Sequence, residues 1–398
     1  MRFIKQAIIF LFLFLGCSSV EQSKDSSTED MEIRINPNSR QKEDLTLSEI
    51  IDSISYIPLE TNENCLLGTI RRDFIYSENY ILVNNTNSKL YLFNRTGNFI
   101  AQIGDIGAGP GEYLYAGTDI AYIDELNKQI AITIYPKRSI YYYDLKGKFI
   151  KSIPLPFEDV RGTIEYFNSF YIMQEANYYG KIPYTYTVLD TAFNIITQKI
   201  KPVQYSLKSG NMAFTAGPAF SRYIYNDQVH IRENMLNDTL YLVNNDFSFV
   251  PKYIINAGKY DVTVDIRSDD ALRFLKEAKN CVILWSVFET HDYLFILYEY
   301  QNKRIPCYYH KKEKKVIHIT SSSSGIPNDF DGGLDFWPVY QNNKEVVAIY
   351  DAYLFIEQKK NADNPKLQGS EKAIRRFGQM TQQLKADDNP VIVIVTLK

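Results

Sequence analysis

Five stretches of this chain share one shape, and their spacing limits the fold more than any other feature. They are LYLFNRTGNFIAQIG from Leu90, IYYYDLKGKFIKSIP from Ile140, YTVLDTAFNIITQKI from Tyr186, LYLVNNDFSFVPKYI from Leu240 and CYYHKKEKKVIHITS from Cys307. Each is an apolar or aromatic run, a polar break and a second apolar run, the pattern of a β-hairpin. Thr96-Gly97 and Lys146-Gly147 supply the positive φ such turns need. The starts lie 50, 46, 54 and 67 residues apart. A period of that length built from short strands marks propeller blades.

A further strand pair precedes the hairpin in TDIAYIDELNKQIAITIYPKRSIYYYD, so one unit holds four strands. Units of this kind fit 54–97, 118–155, 162–202, 219–256, 283–322 and 334–398. The expected fold is therefore all-β, one six-bladed propeller of four-stranded antiparallel blades over 32–398, although 398 residues would also allow two or three domains. The 14% aromatic content suits pleated, half-buried surfaces. Runs such as SIYYYD alternate sides, so half of each run is expected between blades. Two insertions read as helices: 268–280, with Leu272, Leu275 and Ala278 at helical spacing, and 369–390, opening at Ser370. Residues 45–54 read as a short helical turn. The closing NPVIVIVTLK is expected to pair with MEIRINP, tying the two ends of the chain together.

The first residues carry a different signal. Arg2 and Lys5 precede an apolar core, Ala7 to Leu15, too short to span a membrane comfortably and suited to secretion. FLGC resembles a bacterial lipobox, with cleavage before Cys17 and lipid on its thiol. That resemblance implies a signal peptide over 1–16, a lipidated Cys17 and a flexible tether over 17–31. The acidic residues behind Cys17 resemble the export signal of surface lipoproteins in Bacteroidetes, implying an outer-membrane location on the surface or periplasmic leaflet. Cys65, Cys281 and Cys307 remain, an odd number without a CxxC pair. They read as small buried apolar side chains and not as a disulfide framework or a zinc site. The formal net charge of −3 offers no basic excess, so nucleic acid is not an expected partner.

The glycine-rich IGDIGAGPGEY, residues 103–113, looks like a phosphate-cradling loop. A P-loop would end in Lys-Ser/Thr and run into a helix. Here Glu112 and Tyr113 follow Gly111 with no helical pattern behind them, and no βαβ unit is present for a dinucleotide fold. The loop reads as a compact crossing between blades, placing Glu112 and Tyr113 near a blade junction.

The whole mature chain resembles the six-bladed β-propeller lipoproteins of Bacteroidetes. The match is carried by ISYIPLET (54–61), IGDIGAGPGEY (103–113), NDFDGGLDFWP (328–338) and NPVIVIVTLK. GNFIAQIGDIGAGPGEY is also similar to NHL repeats. The resemblance implies the fold and leaves activity open, because propellers host many functions. No HxH, HExxH or GxSxG pattern occurs. Arg71, Arg138, Arg161 and Arg222 fall near strands of successive blades and could ring a carboxylate or sulfate. Tyr113, Tyr115, Tyr178, Tyr179 and Trp337 are expected in loops, where aromatic faces stack on sugars. Glu112, Tyr113, Arg138 and Trp337 are thus the candidate ligand-binding residues. Some six-bladed propellers are calcium-dependent lactonases, and Asp329 and Asp331 with Asn328 are the candidate metal residues, lacking the later Glu of an EF-hand. The expected function is a non-catalytic binding or scaffold module, without a cofactor, for a glycan, peptide or envelope protein. The alternative is a calcium-dependent hydrolase or lyase working in the central channel.

Overall fold

The computed structural model describes residues 31–39, 45–68, 74–85, 87–114, 121–155, 162–167, 170–175, 182–208, 222–232, 236, 238–269, 271–319, 325–343, 345–361 and 367–398. The leader, Cys17, Arg71, Arg161, Tyr115, Tyr178 and Tyr179 lie outside these residues.

Six antiparallel sheets form a six-bladed β-propeller. Each blade meanders outward through strands a to d. Blade 1 spans Phe74–Tyr76 to Phe99–Ile103, and blade 2 Ala121–Asp124 to Phe149–Pro154. Blade 3 spans Gly162–Phe167 to Ile195–Ile200, blade 4 Arg222–Tyr225 to Phe249–Asn256, and blade 5 Ile283–Glu289 to Lys315–His318. A meander puts all a–b and c–d turns on one face, here called the turn face.

Blade 6 closes the ring and differs from the expected pairing. Its inner strands are Tyr340–Asn342, Glu345–Tyr350 and Val391–Leu397, and its outermost strand is Ile51–Pro58 from near the other end of the chain. Ile51 pairs with Leu397 and Pro58 with Val391. ISYIPLE thus belongs to blade 6 and not to the first blade. The expected MEIRINP partner instead lies in parallel on the outer edge of blade 4, with Ile33 opposite Ile255.

The core is radial. Strand alternation sends successive side chains to opposite blade faces, and each face meets a different neighbour. In blade 2, Tyr141 and Tyr143 pack toward blade 1, while Ile140 and Tyr142 pack toward blade 3. Both halves of SIYYYD are therefore core, where one half was expected. Six such clusters fill the six blade junctions.

The sequence repeat has a physical cause. In blades 1 to 3 an Asx residue opens the c–d turn, and its carboxyl or amide oxygen caps two backbone N–H groups. Asn94 accepts from Thr96 and Asn98, Asp144 from Lys146 and Lys148, and Asp190 from Ala192 and Asn194, all at 2.8–3.0 Å. The fourth residue of the turn takes positive φ: Gly97 (87°), Gly147 (81°), Phe193 (64°) and, in blade 4, Phe247 (63°). Glycine is required where the turn touches the preceding blade. A Cβ on Gly147 would sit 1.9 Å from the Gln102 carbonyl oxygen, and one on Gly97 2.3 Å from that of Pro58. The two phenylalanines instead offset their backbone strain with ring contacts. Phe193 stacks on Tyr171 at 4.7 Å, and Phe247 meets Phe170 edge-on at 4.6 Å.

The expected insertions form helices at Ala271–Ala278 and Glu371–Gln383, the latter capped by Ser370, whose Oγ accepts from Ala373 N–H at 3.2 Å. The helical turn near 45–54 is Leu47–Ile50. Ala352–Asn361, within the sixth four-stranded unit expected over 334–398, is also a helix. No helix among the described residues is long and apolar enough to cross a membrane.

Candidate functional site

The structure places the expected site residues apart. Glu112 closes the glycine loop on itself, its carboxylate accepting from Gly109 N–H at 2.8 Å. Tyr113 is fully buried and donates to the Ile103 carbonyl at 2.6 Å, so it is not the exposed loop aromatic expected. Tyr143 from blade 2 donates to the Gly111 carbonyl at 2.8 Å. The loop is a braced corner. Arg138 is exposed at a turn with φ 46°, and Arg222 lies on the inner strand of blade 4. Trp337 is also core: 5% exposed, donating to Ser286 Oγ at 2.6 Å and meeting Phe288 edge-on. Both aromatics were expected outside because glycine and proline neighbours mark loops, yet these loops fold back between blades.

Asp329 and Asp331 tie neighbouring segments together through their carboxylates. Calcium takes six to eight oxygen ligands; three of these four carboxylate oxygens face donors, and Asp331 Oδ2 is buried with no hydrogen-bond partner among the described residues. Asp329 accepts from Ser48 N–H and Oγ at 2.9 and 2.7 Å. Asp331 Oδ1 accepts from Tyr56, Asn328 and Gly333, and burial raises its carboxyl above the usual range. The pair staples the blade 5–6 connection to the helix Leu47–Ile50 and the strand Ile51–Pro58. Among the described residues, no group of three or more His, Cys, Asp or Glu stands ready for a metal. Cys65, Cys281 and Cys307 are free and buried.

Among the described residues, a dense ionisable cluster lies elsewhere, at the blade 4–5 junction near the turn face. Glu289 ends the inner strand of blade 5 and is 1% exposed. One carboxylate oxygen accepts from Tyr223 Oη and Lys252 Nζ at 2.9 and 3.0 Å. The other accepts from Tyr253 Oη and Lys311 Nζ at 3.2 and 2.7 Å. Burial alone would raise this carboxyl, but the two ammonium groups more than offset it and hold it below the usual range. Lys252 comes from the fourth strand of blade 4 and Lys311 from the turn after the third strand of blade 5. Gln341 of blade 6 locks the same spot, accepting from Glu289 N–H at 2.8 Å and donating to its carbonyl at 2.6 Å. Three blades thus converge on one residue: blades 4 and 5 on its carboxylate and blade 6 on its backbone.

His230 completes the cluster. Its ring stacks on Tyr223 at 4.7 Å and 3°. Lys252 Nζ lies 2.9 Å from Nε2, and the Gln228 carbonyl 3.1 Å from Nδ1. An ammonium only donates, so Nε2 accepts and the proton sits on Nδ1. Burial, then the Lys252 charge, pushes this imidazole down to about 4. The unfolded chain therefore binds the proton first as pH falls. Stability from this group is full above pH 6.5 and is lost as pH falls toward 4, a loss of about 3 kcal/mol. Chemical denaturation across that window should show the fall, and His230→Gln should flatten it; a wild-type stability independent of pH from 6.5 to 4 would contradict the assignment.

No sequence motif marks this cluster, because its members are dispersed over residues 223–341. Comparison with known proteins supplies the family. Residues 31–396 match the family described as a domain of unknown function, DUF4934. The chain belongs to that family. No curated protein matches the sequence. The DUF4934 chain is similar in structure to a Bacteroides fragilis protein described as exported, at 20% identity and a TM-score of 0.68, covering 92% of this chain and 99% of that one. A member of the DUF4221 family from Bacteroides vulgatus matches at 10% identity and a TM-score of 0.49, covering 87% and 97%. The first likeness supports the propeller fold.

Proposed function

We propose that this protein is an exported, non-catalytic binding module, anchored to the outer membrane through a lipidated Cys17, that presents its propeller to a glycan, peptide or envelope protein. The observation that carries the binding role is the Glu289 cluster. It sets two partly exposed lysines and the Tyr225 ring on a rigid three-blade junction, with the carboxylate already saturated by donors. A saturated carboxylate and a neutral histidine committed at both nitrogens suit recognition better than proton transfer. The leader sequence and the likeness to a protein described as exported support the location.

Thermal unfolding with a panel of glycans, acidic sugars and peptides tests the binding role, with calcium and a chelator as further arms. A ligand at about 100 times its dissociation constant adds about 2.7 kcal/mol, and it should be recovered unaltered. Turnover of a panel member, or a calcium shift reversed by the chelator, would favour an enzyme instead. Cys17→Ala should move the protein from the membrane to the soluble fraction.

A further inference from the structure

We propose that Lys252 and Lys311 together bind the carboxylate of an acidic sugar at the turn-face mouth between blades 4 and 5. The inference rests on the reading of the protein as a binding module and names the ligand chemistry of that site. An ammonium has three hydrogens. Lys252 directs one to Glu289 and one to His230; Lys311 directs one to Glu289 at 2.7 Å and one to the Thr290 carbonyl at 2.6 Å. Each keeps one hydrogen to give. Glu289 takes two donors on each oxygen and has no further capacity.

Within the buried junction the charge is uneven, the exposed Asp292 standing outside it and favouring the Lys311 charge. Two cations face one buried anion, and His230 is neutral at physiological pH. Asp292, on the a–b turn of blade 5, is the nearby acid; its carboxylate is 62% exposed and engages His291 Nδ1 at 2.8 Å. The Lys252 and Lys311 side chains are 28% and 21% exposed, dry enough to strengthen a charge contact and still in part open to solvent. Two single donors on neighbouring groups match the two oxygens of a carboxylate. Aromatic surface adjoins them: the Tyr225 ring centre lies 5.2 and 5.0 Å from the two nitrogens, and that of Tyr253 5.6 Å from Lys252. A carboxylate carried on a sugar ring uses both features; a bare anion uses one.

Glucuronate is the probe, against glucose, acetate, sulfate and N-acetylglutamate, on the purified full-length protein. Glucuronate should raise the unfolding temperature and move the His230 ring resonance, assigned by His230→Gln, because that ring touches Lys252. Glucose should do neither. Lys311→Met should weaken glucuronate binding by about tenfold or more, as should high salt. The His230 readout uses wild-type protein, so it holds even where a lysine variant folds poorly. An unmoved His230 resonance at millimolar glucuronate, or equal binding by a folded Lys311→Met protein, overturns the proposal. Equal or tighter binding of sulfate, acetate or N-acetylglutamate overturns the acidic-sugar assignment. A response to neutral glycans or peptides alone overturns the carboxylate site and leaves the binding-module reading standing.

Discussion

Truncation after Pro390 yields a chain that does not fold. The lost strand, Val391–Leu397, is the third strand of blade 6 and pairs on both sides, with Glu345–Tyr350 and with Ile51–Pro58. Val391, Val393, Val395 and Leu397 enter the blade 5–6 core, while Ile392 and Ile394 enter the blade 6–1 core. Burying such a side chain stabilises by about 1.5–3 kcal/mol, so the strand contributes on the order of 10 kcal/mol. The net stability of a domain is about 5–15 kcal/mol. Ile51–Pro58 also loses its hydrogen-bonded neighbour, and the ring opens. Far-UV circular dichroism and size exclusion read the outcome; a compact protein with a cooperative melt would refute this closure. Deleting Glu32–Arg34 should be far milder, because it removes an edge addition from a blade already four strands wide.

Glu289→Gln should cost about 3 kcal/mol in urea unfolding at neutral pH. The cost is that of two ammonium groups left without their counter-charge in a partly dry site. Replacing Glu289, Lys252 and Lys311 together by Met should recover much of it, because the charges then leave as a set. If the single variant unfolds within about half a kcal/mol of wild type, the cluster is hydrated and carries no structural weight. The same variant should narrow the pH dependence, since a carboxyl held below its ordinary value contributes stability above pH 4.5 and loses it as pH falls through its folded value.

The site was less legible in the sequence than the fold. Glu112 was correctly placed at a blade corner, but its carboxylate serves the loop itself. Tyr113 and Trp337 sit among loop-forming residues, and local composition does not reveal that a loop turns back into a blade junction. Glu289, Lys252 and Lys311 lie in strands and turns where a charge ordinarily faces water, and nothing in their local sequence separates them from solvated neighbours.

By itself the sequence determined the blade architecture. Alternation sets the strands, an Asx residue and a positive-φ position set the c–d turns of blades 1 to 3, and both act across a few residues, so they repeat visibly. The helix starting at Ser370 was legible for the same reason, through its cap. Which strands close the ring was not. MEIRINP and ISYIPLE are both short alternating segments, and either could have met the C-terminal strand. The choice falls to Ile51–Pro58, seven of whose eight residues pair with Val391–Leu397, while Ile51 is buried and Ile54, Tyr56 and Ile57 pack against the cores on either side, partners that only the closed ring supplies. Blade stacking likewise brings Tyr223, Lys252, Tyr253 and Lys311 onto the Glu289 carboxylate. Local rules specify each blade, and the packing of blade on blade decides closure and site.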